Sequence, residues 1–268
     1  MNMFDLTGKR IAITGGAGVL GASLAKGFAE AGATIAVLDL AEDRATALAK
    51  ELGEGHIGAQ INVLDADSIH ASLEACIAGL GGIDILVNGA GGNHPKATTG
   101  PDMPFFDIPK DSLEFVSTLN LSGTILPSQV FGKHMVEAKQ GNILNVSSMN
   151  AFRPLTRIPA YSAAKAAVSN FTQWLAVHIA QEYSPNIRVN ALAPGFFLTE
   201  QNRFLLTDKE TGELTPRGQQ ILGHTPQGRF GEPEDLIGTA IWLVSAASKF
   251  VTGIVVPVDG GFSAYSGV

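Results

Sequence analysis

The chain of 268 residues is 45% apolar and only 16% charged, which supplies material for one continuous core and argues against a disordered protein. Its formal net charge of −7 leaves no basic surface to neutralise a phosphate backbone, so nucleic acid is excluded as an expected partner.

From the start, residues 10–14 form a short apolar run closed by glycines, and residues 19–31 then repeat at helical period, giving strand, turn and helix. Residues 34–38 give a second strand, 42–52 a second helix and 56–61 a third strand. The alternation continues with helix 68–80, strand 83–87, one long helix over 111–136, strand 141–146, helix 160–183 and strand 187–191. Continuous apolar strands separated by helices imply a parallel sheet covered on both faces. The expected class is therefore α/β, a doubly wound parallel sheet in a single domain spanning residues 1–268. Two stretches break the rhythm: 91–110, rich in Gly, Pro and Thr, and 194–215, polar and aromatic. Both follow strands, where such sheets bind ligands, so substrate is expected there. Cys76 has no disulfide partner in the chain, and beside Leu73, Ala75 and Ile77 it reads as a small buried apolar residue. The N-terminus lacks a basic segment followed by an apolar stretch, and no uncharged run long enough to span a membrane follows, so a cytoplasmic protein is expected.

Between the first strand and the first helix stands Thr14-Gly15-Gly16-Ala17-Gly18-Val19-Leu20-Gly21, with Gly16, Gly18 and Gly21 at G-x-G-x-x-G spacing. Glycines let backbone N–H groups approach a pyrophosphate, and the helix N-terminus adds unpaired donors and a positive dipole end. Asp39 ends the second strand, placed to accept hydrogen bonds from adenosine ribose hydroxyls and to repel a 2′-phosphate, which favours NAD. The alternative is that Asp39 caps the following helix.

In Tyr161-Ser162-Ala163-Ala164-Lys165, Tyr161 and Lys165 stand four apart and share one helix face. Ser148 lies at the end of an apolar strand, and Asn120 within the long helix before it. Together with Asn88-Gly89-Ala90-Gly91 and Pro194-Gly195, these motifs occur in the order of the short-chain dehydrogenase/reductase family, which the chain resembles along essentially its whole length. The resemblance implies a Rossmann-type fold and hydride transfer between NAD and a secondary alcohol or ketone. It implies Tyr161 as acid and base, with Lys165 lowering its pKa and holding the nicotinamide ribose. Ser148 would hold the substrate oxygen, and Asn120 would support a relay water. Beyond the glycine turn and Asp39, the cofactor set carried over is Leu40, Asn62, Val63, Asn88, Gly89, Ala90, Pro194, Gly195, Phe197 and Thr199. Two positions depart from the family pattern: Val19 replaces the usual middle glycine, and Asn62 the usual Asp.

The loops around the expected site, with the ending Asp259-Gly260-Gly261-Phe262, resemble the D-mannonate oxidoreductase (fructuronate reductase) branch. A sugar acid also suits the amides and cations there, namely Asn93, His94, Lys96, Asn150, Arg153, Gln201, Asn202 and Arg203, since cationic side chains pair a carboxylate. A gluconate-type substrate and a non-catalytic dinucleotide binder stay open as alternatives. No metal is expected, because His94 has no further ligand at metal spacing nearby. The 111–136 and 160–183 helices are apolar over more than one face, through Phe115, Leu119, Leu126, Phe131, Phe171, Trp174, Leu175 and Ile179. They therefore call for a second burying partner, and the resemblance implies a homotetramer.

Overall fold

In β1 (Arg10–Thr14), Ile11 and Ile13 join one core and Ala12 another, all three fully buried. Burial of both alternating sets is what a sheet covered on two sides demands. The same alternation recurs in β2 (Thr34–Asp39), where Ile35 and Val37 face one way and Ala36 and Leu38 the other. The remaining strands are β3 (Ile57–Gln60), β4 (Ile85–Asn88), β5 (Gly141–Val146), β6 (Ile187–Pro194) and β7 (Val255–Val258). The computed structural model, which describes residues 2–198, 206–208 and 211–267, orders them β3-β2-β1-β4-β5-β6-β7, every neighbouring pair parallel. This is the doubly wound, Rossmann-type sheet that the alternation of elements predicts.

One face is covered by α1 (Val19–Glu30), α2 (Glu42–Leu52) and α8 (Ile237–Val244), through Leu24, Phe28, Leu48 and Leu243. The other is covered by α3 (Ala66–Leu80), α5 (Gly123–Glu137) and α6 (Pro159–Glu182), through Ile69, Phe131, Met135 and Ile179. Two further helices, α4 (Lys110–Ser117) and α7 (Pro216–Gly223), lie outside these layers in the sequence stretches that follow β4 and β6. Asp65 caps α3 by accepting from the amides of Asp67 and Ser68, so the helix starts at Ala66, two residues before the periodicity does. Cys76 is buried at the α3 interface with the sheet, and burial pushes its thiol up to about 12.

The long helix is not one regular α-helix. Between α4 and α5 the turn Thr118–Ser122 is π-helical. Such a turn inserts a residue and frees a carbonyl, and side chains then supply the missing donors. Here Asn120 Nδ2 donates to the Val116 carbonyl at 2.8 Å, and Thr124 Oγ1 donates to the Asn120 carbonyl at 2.9 Å. No described helix is long and apolar enough to cross a membrane.

Candidate functional site

Chain order reverses where β1 and β4 lie side by side, so their crossover connections leave on opposite faces and open a crevice at their carboxyl ends. A cleft of about 530 Å³ lies there, and Gly15, Gly18, Val19, Leu20 and Gly21 form its floor. Gly15 has φ +64°, and a Cβ there would come within 2.9 Å of the Ala90 backbone, so the turn after β1 packs directly on the one after β4. Gly18 is the N-cap of α1 with extended backbone, and no side chain caps the helix. The first amides of α1 therefore open into the cleft. Val19 sits there 37% exposed with no positive φ, so the missing middle glycine does not distort the turn. Gly16 is buried and does not line the cleft; its Cβ would strike Ile13 O and Val37, so it is glycine for packing against β2.

At one end of the cleft, Asp39 accepts from the Ala17 amide through Oδ2 at 3.1 Å and from the Ala41 amide through Oδ1 at 3.2 Å. Ala41, not Asp39, is the N-cap of α2, and it has no side-chain cap. Each carboxylate oxygen keeps a lone pair for a ligand hydroxyl. Leu40, Ile61, Asn62 and Val63 line the same end, as does Arg44, whose guanidinium donates to the Ala17 carbonyl at 2.6 Å. Arg44 and Ile61 carry no family motif, and only the fold shows that they reach the cleft. Gly89 and Ala90 line it as expected, whereas Asn88 is buried beneath it. Its amide donates to Ser128 Oγ at 2.9 Å and Asn145 Oδ1 at 2.8 Å, so Asn88 ties β4 to β5 and α5 and is removed from the cofactor-contacting set.

At the other end Ser148, Tyr161 and Lys165 line the cleft together with Gly91, Gly92, Pro194, Gly195 and Phe197. Tyr161 and Lys165 share one face of α6, with Lys165 Nζ 5.6 Å from the Tyr161 ring centre. Lys165 is 4% exposed, and its Nζ donates to the Val146 carbonyl at 2.7 Å. Burial lowers its pKa to about 8. Burial raises the Tyr161 pKa, and the hydrogen bond with Ser148, which lowers it, is the weaker influence. Desolvation is thus the largest influence on both groups.

Asn120 is brought close but does not face the cleft. Fully buried, it donates from Nδ2 to the Gly92 carbonyl at 2.7 Å as well as to Val116, and its Oδ1 accepts from the Gly92 amide at 3.2 Å. With its side chain engaged on both the amide and the carbonyl of Gly92, it clamps the turn after β4, while its own carbonyl, which accepts from Thr124, keeps a second lone pair.

Asn150 also moves role. It is buried, and its backbone N and Nδ2 both donate to Ser148 Oγ, at 3.3 and 3.1 Å, while its Oδ1 accepts from the Leu155 amide and Ser162 Oγ. Two donors on Ser148 Oγ leave the serine its own O–H to donate. Among the other substrate candidates, Asn93 Nδ2 donates to Thr98 Oγ1, His94 Nδ1 accepts from the Lys96 amide, and Arg153 Nε donates to the Ser263 carbonyl. None of these, nor Lys96, lines the cleft. Thr199, Gln201, Asn202 and Arg203 lie outside the described residues.

The open helix N-terminus, the close backbone approach of Gly15 and the carboxylate of Asp39 fit a dinucleotide, and define the class as nucleotide-binding α/β proteins. A profile of short chain dehydrogenases matches residues 9–210. A crystal structure from Haemophilus influenza with bound NAD, provisionally assigned as a D-mannonate oxidoreductase, is 49% identical, covers 98% of each chain and superposes with a TM-score of 0.91. A gluconate 5-dehydrogenase from Burkholderia cenocepacia J2315, in complex with NADP and tartrate, is 34% identical over 98% of each chain with a TM-score of 0.87. The 5-keto-D-gluconate 5-reductase of Escherichia coli (strain K12) is 36% identical over 97% of each chain. The chain belongs to the short-chain dehydrogenase family and is an oxidoreductase.

Proposed function

We propose that the protein is an NAD-dependent dehydrogenase of a sugar acid, interconverting D-mannonate and D-fructuronate. The observation that carries the catalytic part is the placement of Ser148, Tyr161 and Lys165 in one cleft with the glycine turn. A nicotinamide held over the glycine turn, with its adenosine ribose at Asp39, would supply the hydride acceptor or donor. Tyr161 holds or releases the alcohol proton, Ser148 donates its O–H to the substrate oxygen, and Lys165 places a positive charge beside the phenol. The substrate class is supported by the relatives named for mannonate and gluconate chemistry. Following NADH absorbance with D-fructuronate, D-tagaturonate and 5-ketogluconate tests the reading. Turnover of 5-ketogluconate alone would favour the gluconate-type alternative, and turnover of none would reject the sugar-acid reading.

The preference for NAD rests on Asp39. Replacing it with Ala removes a charged acceptor worth about 1.5–3 kcal/mol, which predicts roughly a ten- to hundredfold weaker NAD complex. Arg44 remains beside the vacated carboxylate to meet a 2′-phosphate, so NADP affinity is expected to rise in the same variant. Fluorescence titration with both reduced nucleotides checks this, and an unchanged preference would remove Asp39 as the determinant.

Asn150→Ala takes one donor from Ser148, and turnover is expected to fall about tenfold with NADH affinity unchanged, since one net hydrogen bond is worth about 1 kcal/mol or somewhat more. Equal loss in NADH binding would show a general collapse instead. For assembly, Trp174 and Val177 stand 56% and 57% exposed on α6, and the Trp174 ring stacks on His178 at 4.7 Å. We infer a homotetramer packed through this helix, which a light-scattering mass below four chains would reject.

A further inference from the structure

Past the end of β6 the chain is pinned to neighbours on two sides. The Gly195 amide donates to the Val258 carbonyl at 2.9 Å, which ties it to β7. Just beyond, the Gly231 amide donates to the Phe196 carbonyl at 2.8 Å and the Leu198 amide donates to the Gly231 carbonyl at 3.0 Å, so that Phe197 and Gly231 form an isolated parallel bridge. Phe197 is 4% exposed and borders the cleft at its catalytic end, beside Pro194 and Gly195. It also borders, with Gly231, a second cavity of about 410 Å³. Phe197 is therefore a partition between the two spaces.

The turn that carries Gly231 is fixed from both sides. Toward solvent, the Arg229 guanidinium donates to both carboxylate oxygens of Asp235 and to the Phe230 carbonyl, while Asp235 also accepts from the Glu232 amide at 2.9 Å. Toward the interior, the short turn Pro233–Leu236 runs directly into α8, and Leu236, 1% exposed, joins the same core as Phe197, Leu192 and Leu243. A push between Gly231 and Phe197 is thus met by Phe197 and the 196–198 backbone rather than by the turn.

Glycine is not required at position 231 by the backbone, since Gly231 has no positive φ. It is required for space. A Cβ there would stand 2.8, 2.9 and 3.0 Å from Cε1, Cδ1 and Cζ of the Phe197 ring, closer than carbon atoms pack. The ring rests against the bare Cα, and any side chain at 231 would drive Phe197 off that seat. We propose, on the NAD-dependent reading, that Gly231 is a positioning residue: its missing side chain seats Phe197 and so sets the wall against which the nicotinamide half of the dinucleotide is held. Asp39, Leu40 and Val63 border the adenosine end of the cleft, and Gly231 has no contact with them.

The test titrates NADH, and ADP-ribose, which lacks the nicotinamide, into the wild type, Gly231→Ala, Phe197→Val and the double variant. Gly231→Ala is expected to weaken NADH about tenfold, as an overpacked contact does, with ADP-ribose affinity held within a factor of about two. Valine at 197 removes the ring atoms that meet the new Cβ. In that background Gly231→Ala should therefore change NADH affinity by less than about twofold, a departure from additivity that a structural role independent of the ring would not produce. Unchanged NADH affinity in Gly231→Ala, equal weakening of NADH and ADP-ribose, or additive losses in the double variant would each overturn the seat. If Gly231→Ala does not fold, the double variant decides: binding like Phe197→Val supports the contact, and failure of the double variant to fold overturns it. Wild-type protein that binds no NADH defeats the NAD-dependent reading, whereas wild type and Gly231→Ala binding it equally defeat the seat alone.

Discussion

Tyr161→Phe is expected to lower turnover by about a thousandfold while leaving NADH affinity within a factor of about two, because proton transfer by a positioned side chain contributes roughly 10²–10⁴ in rate. The ring stays and only the hydroxyl goes, so packing on α6 is unaffected. That hydroxyl is the one facing Ser148, and no other phenol lines the cleft. Burial raises the Tyr161 pKa, so the phenol carries its proton through neutral pH. Ketone reduction, which needs the acid, should therefore proceed at neutral pH. Alcohol oxidation, which needs the base, should accelerate as pH rises. Steady-state rates in both directions, with NADH binding by fluorescence, check the prediction. Full activity in Tyr161→Phe would end the proton-transfer role.

Lys165→Met is expected to cost at least about a hundredfold in turnover, by withdrawing the charge that stabilises the phenolate. It also carries a stability signature. The folded-state pKa is depressed from 10.5 to about 8 by burial. Between those two values the unfolded chain binds a proton that the folded chain does not, so the contribution of Lys165 to stability rises with pH across that window. Below pH 8 the cost of the buried ammonium is fully present, roughly 3 kcal/mol as an order of magnitude. Methionine has similar length and no charge, so the Tm of the wild type relative to Lys165→Met should climb from pH 8 to pH 10. A flat difference over that range would mean that the amine is hydrated in solution.

The regular part of this molecule is legible because its burial is periodic. Ile11, Ala12 and Ile13 announce a strand covered on both faces, and the four-residue spacing of Tyr161 and Lys165 fixes their common side whatever the tertiary context. The π-helical turn is not legible, since Thr118, Leu119 and Asn120 are compatible with an ordinary helix, and one inserted residue turns Asn120 inward without changing composition. Asn150 looks like any loop amide until the fold surrounds it with Ser148, Leu155 and Ser162. Asn88 adjoins a glycine motif in sequence yet lies below the cleft, because strand alternation sends successive side chains to opposite faces. The C-terminal elements α7, α8 and β7 lie beyond the last strand that the alternation predicts; Pro257 interrupts the apolar run that would mark β7.

That same proline governs how the sheet ends. The carbonyls of Ile254 and Val258 accept from Ala191 and Gly195, so the even-numbered residues of β7 turn their polar backbone toward β6 and Pro257 turns outward. The outer rim of the sheet thus lacks a donor in mid-strand and is a poor template for an incoming strand. A second copy of this chain aligned along that rim would find no amide at Pro257, which disfavours the strand-to-strand pairing from which fibres grow.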